Sequence, residues 1–170
     1  MTKIKVLLAD DHQLFREGLS GILNTQPDFL VIGEAADGLE AVVKAHLLKP
    51  DLIIMDVSMP RMDGVEATRQ IMEEQPDVTI VMLTVRDEDE KLFEAIKSGA
   101  QGYLLKTIRS RDLLALLRGA ARGEAALTPQ LGGRMLEEFR RLSHSPPQRL
   151  EEEIPVLTPR EQDVFCLLYT

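Results

Sequence analysis

The sequence predicts an α/β fold, a doubly wound parallel sheet of five strands with helices on both faces. Three observations carry this. Up to about Arg122, short apolar runs alternate with amphipathic segments, the rhythm of a parallel sheet. The apolar runs lack a polar alternation, as strands covered on both faces do. The segments between them open and close on residues that start and stop helices.

The strands are read at KIKVLLA (3–9), FLVIGEA (29–35), DLIIM (51–55), VTIVML (78–83) and GYLL (102–105). After Asp11, Phe15, Leu19, Ile22 and Leu23 form one helical face. Asp37 with Glu40 caps a second helix carrying Leu39, Val42, Val43 and Leu47. Asp63 with Glu66 caps a third carrying Val65, Ile71 and Met72, stopped by Pro76. Asp87 with Glu90 opens a fourth carrying Leu92, Ala95 and Ile96, and Gly99 closes it. Ser110 opens a fifth with Leu113, Leu114, Leu116 and Leu117, and Gly123 closes that one.

Beyond residues 1–122 the character changes. Residues 123–156 read as a linker, with a helix at about 129–142 weakened by Gly132 and Gly133, each costing ~1 kcal/mol. SHSPPQRLEEEIP (143–155) is rich in Pro, Ser and acids, as linkers are. LTPREQDVFCLLYT (157–170) then starts another helix. Thr158 suits the N-cap, Pro159 the first helical position and Glu161 the capping box. Val164, Phe165, Leu167 and Leu168 follow as an apolar stripe with no stop signal after them. A helix of about twelve residues is marginal alone. It is therefore expected either to fray after Val156 or to dock its stripe onto the preceding domain or a second copy.

Composition bounds the function. Apolar residues at 44% and charged residues at 28% of 170 are ordinary for a globular chain. No apolar run approaches the ~20 residues of a membrane span. The start MTKIKVLLADD turns acidic too early for a signal peptide. Cys166 is alone, which rules out an intramolecular disulfide and fits a reducing cytoplasm. A net charge of −8 disfavours a chain devoted to gripping nucleic-acid phosphates, yet allows a hard cation at a cluster of acids.

In an open parallel sheet, ligands bind beyond the carboxyl ends of the strands. Strand one delivers Asp10 and Asp11 there, strand three Asp56, strand four Thr84 and strand five Lys106. Each has a plainer reading: the first two as helix caps, Thr84 as a β-branched strand residue, Lys106 as a solvated edge charge. Their conjunction on one rim favours a site. At ~4 Å a like-charged pair costs ~1 kcal/mol in water and ~4 kcal/mol at an effective dielectric of about 20. Lys106 or a hard cation such as Mg²⁺ would offset that, and Mg²⁺ with carboxylates suggests a phosphoryl visitor.

The segments ADDHQLFREGL (9–19), IIMDVSMPRMDGVEA (53–67), VMLTV (81–85) and GAQGYLLKT (99–107) resemble the receiver domain of two-component response regulators. The match runs from the start to about Arg122. The closing VLTPREQDVF resembles the opening of the LuxR-type helix-turn-helix domain of the NarL/FixJ subfamily. The resemblance implies the flavodoxin-like strand order 2-1-3-4-5 and a phosphoacceptor at Asp56. It implies Mg²⁺ held by Asp10, Asp11, Asp56 and the backbone carbonyl of Ser58, with Thr84 and Lys106 on the phosphoryl oxygens. Tyr103 falls at an aromatic switch position, or is simply a strand aromatic half-buried at a sheet edge. Ser58 and Arg86 occupy positions that tune phosphoryl lifetime. His12 reads as structural and not as a phosphate donor. Thr107 stands where many receivers have Pro, which disfavours a cis peptide after Lys106. Val85 stands where a small residue is frequent, so access to the site is expected to be narrower.

The implied partners are a sensor histidine kinase, a second copy on activation, and promoter DNA through a recognition helix expected beyond residue 170. No DNA-binding residue is assigned within the chain. Two alternatives remain in view. An aspartyl-phosphate hydrolase usually places a second acid two residues after its nucleophile, where this chain has Ser58. A phosphorylation-independent interaction module would have no use for the five rim residues.

Overall fold

The computed structural model describes residues 2–85 and 88–143. Within them the chain alternates β1 (Ile4–Ala9), α1 (Gln13–Asn24), β2 (Phe29–Ala35), α2 (Gly38–Leu48), β3 (Leu52–Asp56), α3 (Gly64–Glu74), β4 (Thr79–Thr84), α4 (Asp89–Lys97), β5 (Gly102–Leu105) and α5 (Ser110–Ala121). A two-residue strand, β6 (Ala126–Leu127), and a longer helix, α6 (Pro129–Ser143), follow. All pairings are parallel and the order is β2-β1-β3-β4-β5-β6.

The expected order of the first five strands is therefore present, and the sheet has a sixth strand that the sequence reading assigned to the linker. A two-residue strand offers no period to detect. It forms because the Ala126 N–H reaches the Gln101 carbonyl at 3.1 Å. Gly102 leaves room beside it, where a Cβ would stand 2.6 Å from that of Ala126.

Burial follows strand position. Every residue of the central strands β3 and β4 is buried, as the unbroken apolar runs imply. Edge strand β2 is mostly half-buried. Leu19, Leu23, Leu113, Leu114 and Leu117 bring α1 and α5 onto one core with Val6, Leu8, Ile54 and Leu83.

Helix α2 departs from its expected face. Leu39, Val43 and Leu47 are exposed, and the buried residues are Gly38, Ala41 and Ala45. Close approach explains the reversal. The Gly38 N–H meets the Met62 carbonyl at 3.1 Å, and a Cβ at Gly38 would lie 2.2 Å from that oxygen. Gly38 has no room for a side chain there, and Ala41 and Ala45, three and seven residues on, share its buried face.

The caps at Asp37 and Asp63 are made as expected, each carboxylate accepting from the N–H three residues on, Glu40 and Glu66, at 2.8 Å. Gly99 (φ 113°) and Gly123 (φ 92°) follow α4 and α5 in the left-handed region that favours glycine. The expected opening of α4 at Asp87 lies outside the described residues; the helix begins at Asp89, with Glu88 as N-cap. Ser110 is the first helical residue of α5 and Arg109 its N-cap. The expected helix at 129–142 is α6. The chain divides into two units between Gly132 and Gly133. Residues 144–170, with the expected helix-turn-helix start and Cys166, lie outside the described residues.

Candidate functional site

The carboxyl ends of β1, β3, β4 and β5 bring Asp10, Asp11, Asp56, Thr84 and Lys106 to one rim. Strand β3 ends on Asp56 and β4 on Thr84, and the Lys106 N–H continues the ladder by donating to the Thr84 carbonyl at 2.8 Å. The loop after β3 turns tightly beneath Asp56. The Gly64 N–H donates to the Val57 carbonyl at 2.8 Å, and a Cβ at Gly64 would stand 2.0 Å from the Asp56 carbonyl oxygen. Gly64 is therefore what allows α3 to start directly under the site.

Asp10, Asp56 and Thr84 are all buried. Lys106 Nζ lies 2.6 Å from Asp10 Oδ2 and 3.2 Å from Asp56 Oδ2. Its ammonium also sits 4.6 Å from the centre of the Phe15 ring, a cation–π arrangement that steadies it from below. One ammonium shared by two buried carboxylates does not neutralise both. Burial first, and the Asp10 carboxylate second, push Asp56 up to about 6. Lys106 pulls it the other way, and Asp11 adds to the rise.

His12 completes the acidic cluster. Its backbone N–H donates to Asp10 Oδ1 at 2.8 Å, and its Nδ1 lies 3.3 Å from Asp10 Oδ1 and 3.2 Å from Asp11 Oδ1. One potential ligand atom from each of Asp10, Asp11, His12 and Asp56 falls within 4.8 Å of the others. Three carboxylates, Asp10 and Asp56 buried and Asp11 open to solvent, fit Mg²⁺, which prefers carboxylates and keeps several waters. Such an ion would offset the burial and the Asp10 and Asp11 charges that together raise Asp56.

A cavity of about 300 Å³ opens beside the cluster, lined in part by His12, Asp56, Ser58, Thr84, Val85 and Tyr103. Ser58 is thus at the site, and Val85 stands at the opening, 67% exposed. Tyr103 is fully buried. It pairs with Leu127 on β6, so the expectation of a half-buried aromatic at a sheet edge is corrected by the sixth strand. Arg86 lies outside the described residues. Sequence reasoning gave Phe15 only a core role and His12 only a structural one. The signal available for both was their position in the first turn after the two acids.

Comparison with known proteins agrees with this geometry. The response regulator receiver domain family matches residues 6–118. The transcriptional regulatory protein LiaR of Bacillus subtilis is 44% identical over 165 residues, covering 97% of this chain and 76% of LiaR. A LuxR-family two-component response regulator from an Aurantimonas species superposes with a TM-score of 0.75 at 28% identity, over 81% of this chain and 98% of that one. A complex of CheX with CheY, beryllofluoride and Mg²⁺ from Borrelia burgdorferi gives a TM-score of 0.62 at 28% identity, over 67% of this chain and 86% of that one. Sheet order, acidic rim and relatives converge: the chain belongs to the response regulators of two-component systems, carries their receiver domain, and is kin to the LuxR-family transcriptional regulators among them.

Proposed function

We propose that Asp56 is the phosphoacceptor of this response regulator and that its donor is the phosphohistidine of a sensor kinase. The observation that carries the reading is the shared ammonium: Lys106 lies between Asp10 and Asp56 at 2.6 and 3.2 Å, while Asp56 stays raised to about 6. A carboxylate at the mouth of a cavity, beside an ammonium and two further acids, can serve as a nucleophile that forms an acyl phosphate, with a cation and Lys106 offsetting the charge that the phosphoryl group adds. An Asp56 carboxylate oxygen attacks phosphorus as the P–N bond of the donor breaks, and the departing imidazole keeps the electron pair.

Asp10, Asp11, Asp56 and the backbone carbonyl of Ser58 would hold Mg²⁺, which supplies charge neutralisation for the phosphoryl oxygens. Lys106 pairs with one phosphoryl oxygen and the Thr84 hydroxyl donates to another. Tyr103 and Thr84 line the same cavity, so a phosphoryl group drawing on Thr84 changes the wall that Tyr103 packs against. We assign Tyr103 the switch role on that basis. Ser58 and Arg86 are assigned to tuning phosphoryl lifetime. With Ser58 where a hydrolase would carry a second acid, the chain is a phosphoacceptor with at most slow self-dephosphorylation and not a turnover enzyme.

The relatives' transcriptional role extends the proposal to dimerisation on activation and promoter binding. By this division residues 1–122 receive, 123–156 link, and 157–170 begin the LuxR-type output domain. Among the described residues no helix is long and apolar enough to cross a membrane. On its membership of the response regulators, we place the protein in the cytoplasm. Acetyl phosphate with Mg²⁺ should add the mass of one phosphoryl group, and Asp56→Ala should abolish the adduct. An adduct that persists in Asp56→Ala would overturn the assignment.

A further inference from the structure

The peptide that joins Asp10 to Asp11 is held from an unexpected side. The polar groups of Asp10 are each engaged within the chain. Its N–H reaches the Ala35 carbonyl at 3.0 Å, its Oδ1 accepts from the His12 N–H at 2.8 Å, and its Oδ2 meets Lys106 at 2.6 Å. Its carbonyl accepts from Arg16 Nη1. Arg16 stands on α1, and its side chain is only 15% exposed.

The outer edge of the guanidinium faces β2, with Nε 3.6 Å from Glu34 Oε1. Strand β2 is braced in turn: Lys44 donates to the Glu34 carbonyl and pairs with Glu40 at 2.7 Å. Glu40 accepts from the Ala36 N–H at 3.2 Å. Arg16 is thus a planar fork with one tine on the Asp10–Asp11 peptide and its back against a fixed strand.

We propose that Arg16 is a positioning residue for the cation site, acting through the Asp10–Asp11 peptide on the two carboxylates. Holding the carbonyl of that peptide fixes its plane, and the plane sets how the Asp10 and Asp11 side chains stand relative to each other. This inference rests on the reading of the rim as a Mg²⁺ site. Groups that orient metal ligands from behind commonly change metal affinity by about 10–100-fold when removed. The sign separates positioning from plain charge. Were Arg16 only a nearby positive charge, removing it would tighten cation binding; as a clamp on the peptide, its removal weakens it.

The test is Mg²⁺ binding to the unphosphorylated protein by calorimetry, with Mn²⁺ and electron paramagnetic resonance as a second probe. Arg16→Met should weaken Mg²⁺ by about tenfold, and Arg16→Lys, which keeps the charge and one donor, should recover part of that. In acetyl phosphate labelling, the Mg²⁺ concentration for half-maximal rate should rise while the plateau rate is retained. Unchanged or tighter Mg²⁺ binding in Arg16→Met would overturn the proposal. Should that variant fail to fold, Arg16→Lys decides, and wild-type affinity in it overturns the proposal equally. Wild-type protein that takes up no Mg²⁺ would sink the proposed function together with this inference. Wild-type binding beside an unaffected Arg16 variant sinks the inference alone.

Discussion

The two ends of the sheet treat the same residue type in opposite ways. Just before β2, Asp28 faces Arg118 of α5 one to one: Nε meets Oδ2 at 2.7 Å and Nη2 meets Oδ1 at 3.1 Å. Arg118 also reaches Gln26 at 2.9 Å and lies 5.5 Å from the Phe29 ring centre. Its hydrogen bonds hold the Asp28 carboxyl below the ordinary carboxylate range. At the far end, Asp56 has burial and Asp10 against it and only a share of Lys106 for it, so it is pushed up to about 6. A carboxylate matched by its own guanidinium ties elements together. One left in surplus is held ready for a partner from outside.

The largest effect should come from crowding the loop that supports the far end. Gly64→Ala forces a methyl to within 2.0 Å of the Asp56 carbonyl oxygen and should cost about 3 kcal/mol in denaturant unfolding, at the upper end for overpacking. A near-neutral result would mean that the loop can move, and that the rim is not held as tightly as the contrast requires.

Next in size is neutralisation of the surplus charge. At pH 7 Asp56→Asn should raise stability, by on the order of 1–3 kcal/mol. The pH dependence gives the sign. A carboxyl raised from 3.8 to about 6 binds more protons folded than unfolded. Its contribution therefore makes stability fall as pH rises from about 4 to about 6, and the Asn variant should lose that slope. A destabilised Asp56→Asn protein would show that Lys106 outweighs burial and Asp10.

The near end should respond with the opposite sign. Asp28→Asn should lose about 1 kcal/mol, modest because the pair is about a third exposed. With its carboxyl lowered, Asp28 contributes stability that is present above 3.8 and lost as pH falls through the folded value. The difference between wild type and variant should thus vanish in strong acid. Smallest of all is the coupling between the ends. The double variant should match the sum of the single ones within about 0.5 kcal/mol.

The rim was legible in the sequence because each of its residues lies at or just past the end of an apolar run, where a parallel sheet must deliver it. Asp56 and Thr84 close their strands as read. The pairing at the near end was not legible, since Asp28 and Arg118 are 90 residues apart and no local pattern joins them. Strand β6 escaped for want of length. The face of α2 was misread because apolar size was taken as the guide, whereas the buried face is Gly38, packed on the Met62 carbonyl, with Ala41 and Ala45. Arg16 stood inside a quoted motif, yet its target is a backbone carbonyl, which leaves no trace in side-chain chemistry.

What sets Asp56 apart is a carboxyl raised by burial and by its acidic neighbours, which a cation relieves. Carbon-detected nuclear magnetic resonance of the Asp56 carboxyl, titrated with and without Mg²⁺, tests this directly. Without the ion the midpoint should stand near 6, and saturating Mg²⁺ should drive it down, with shifts at Asp10 and Asp11. A midpoint at the ordinary 3.8, unmoved by Mg²⁺, would contradict it.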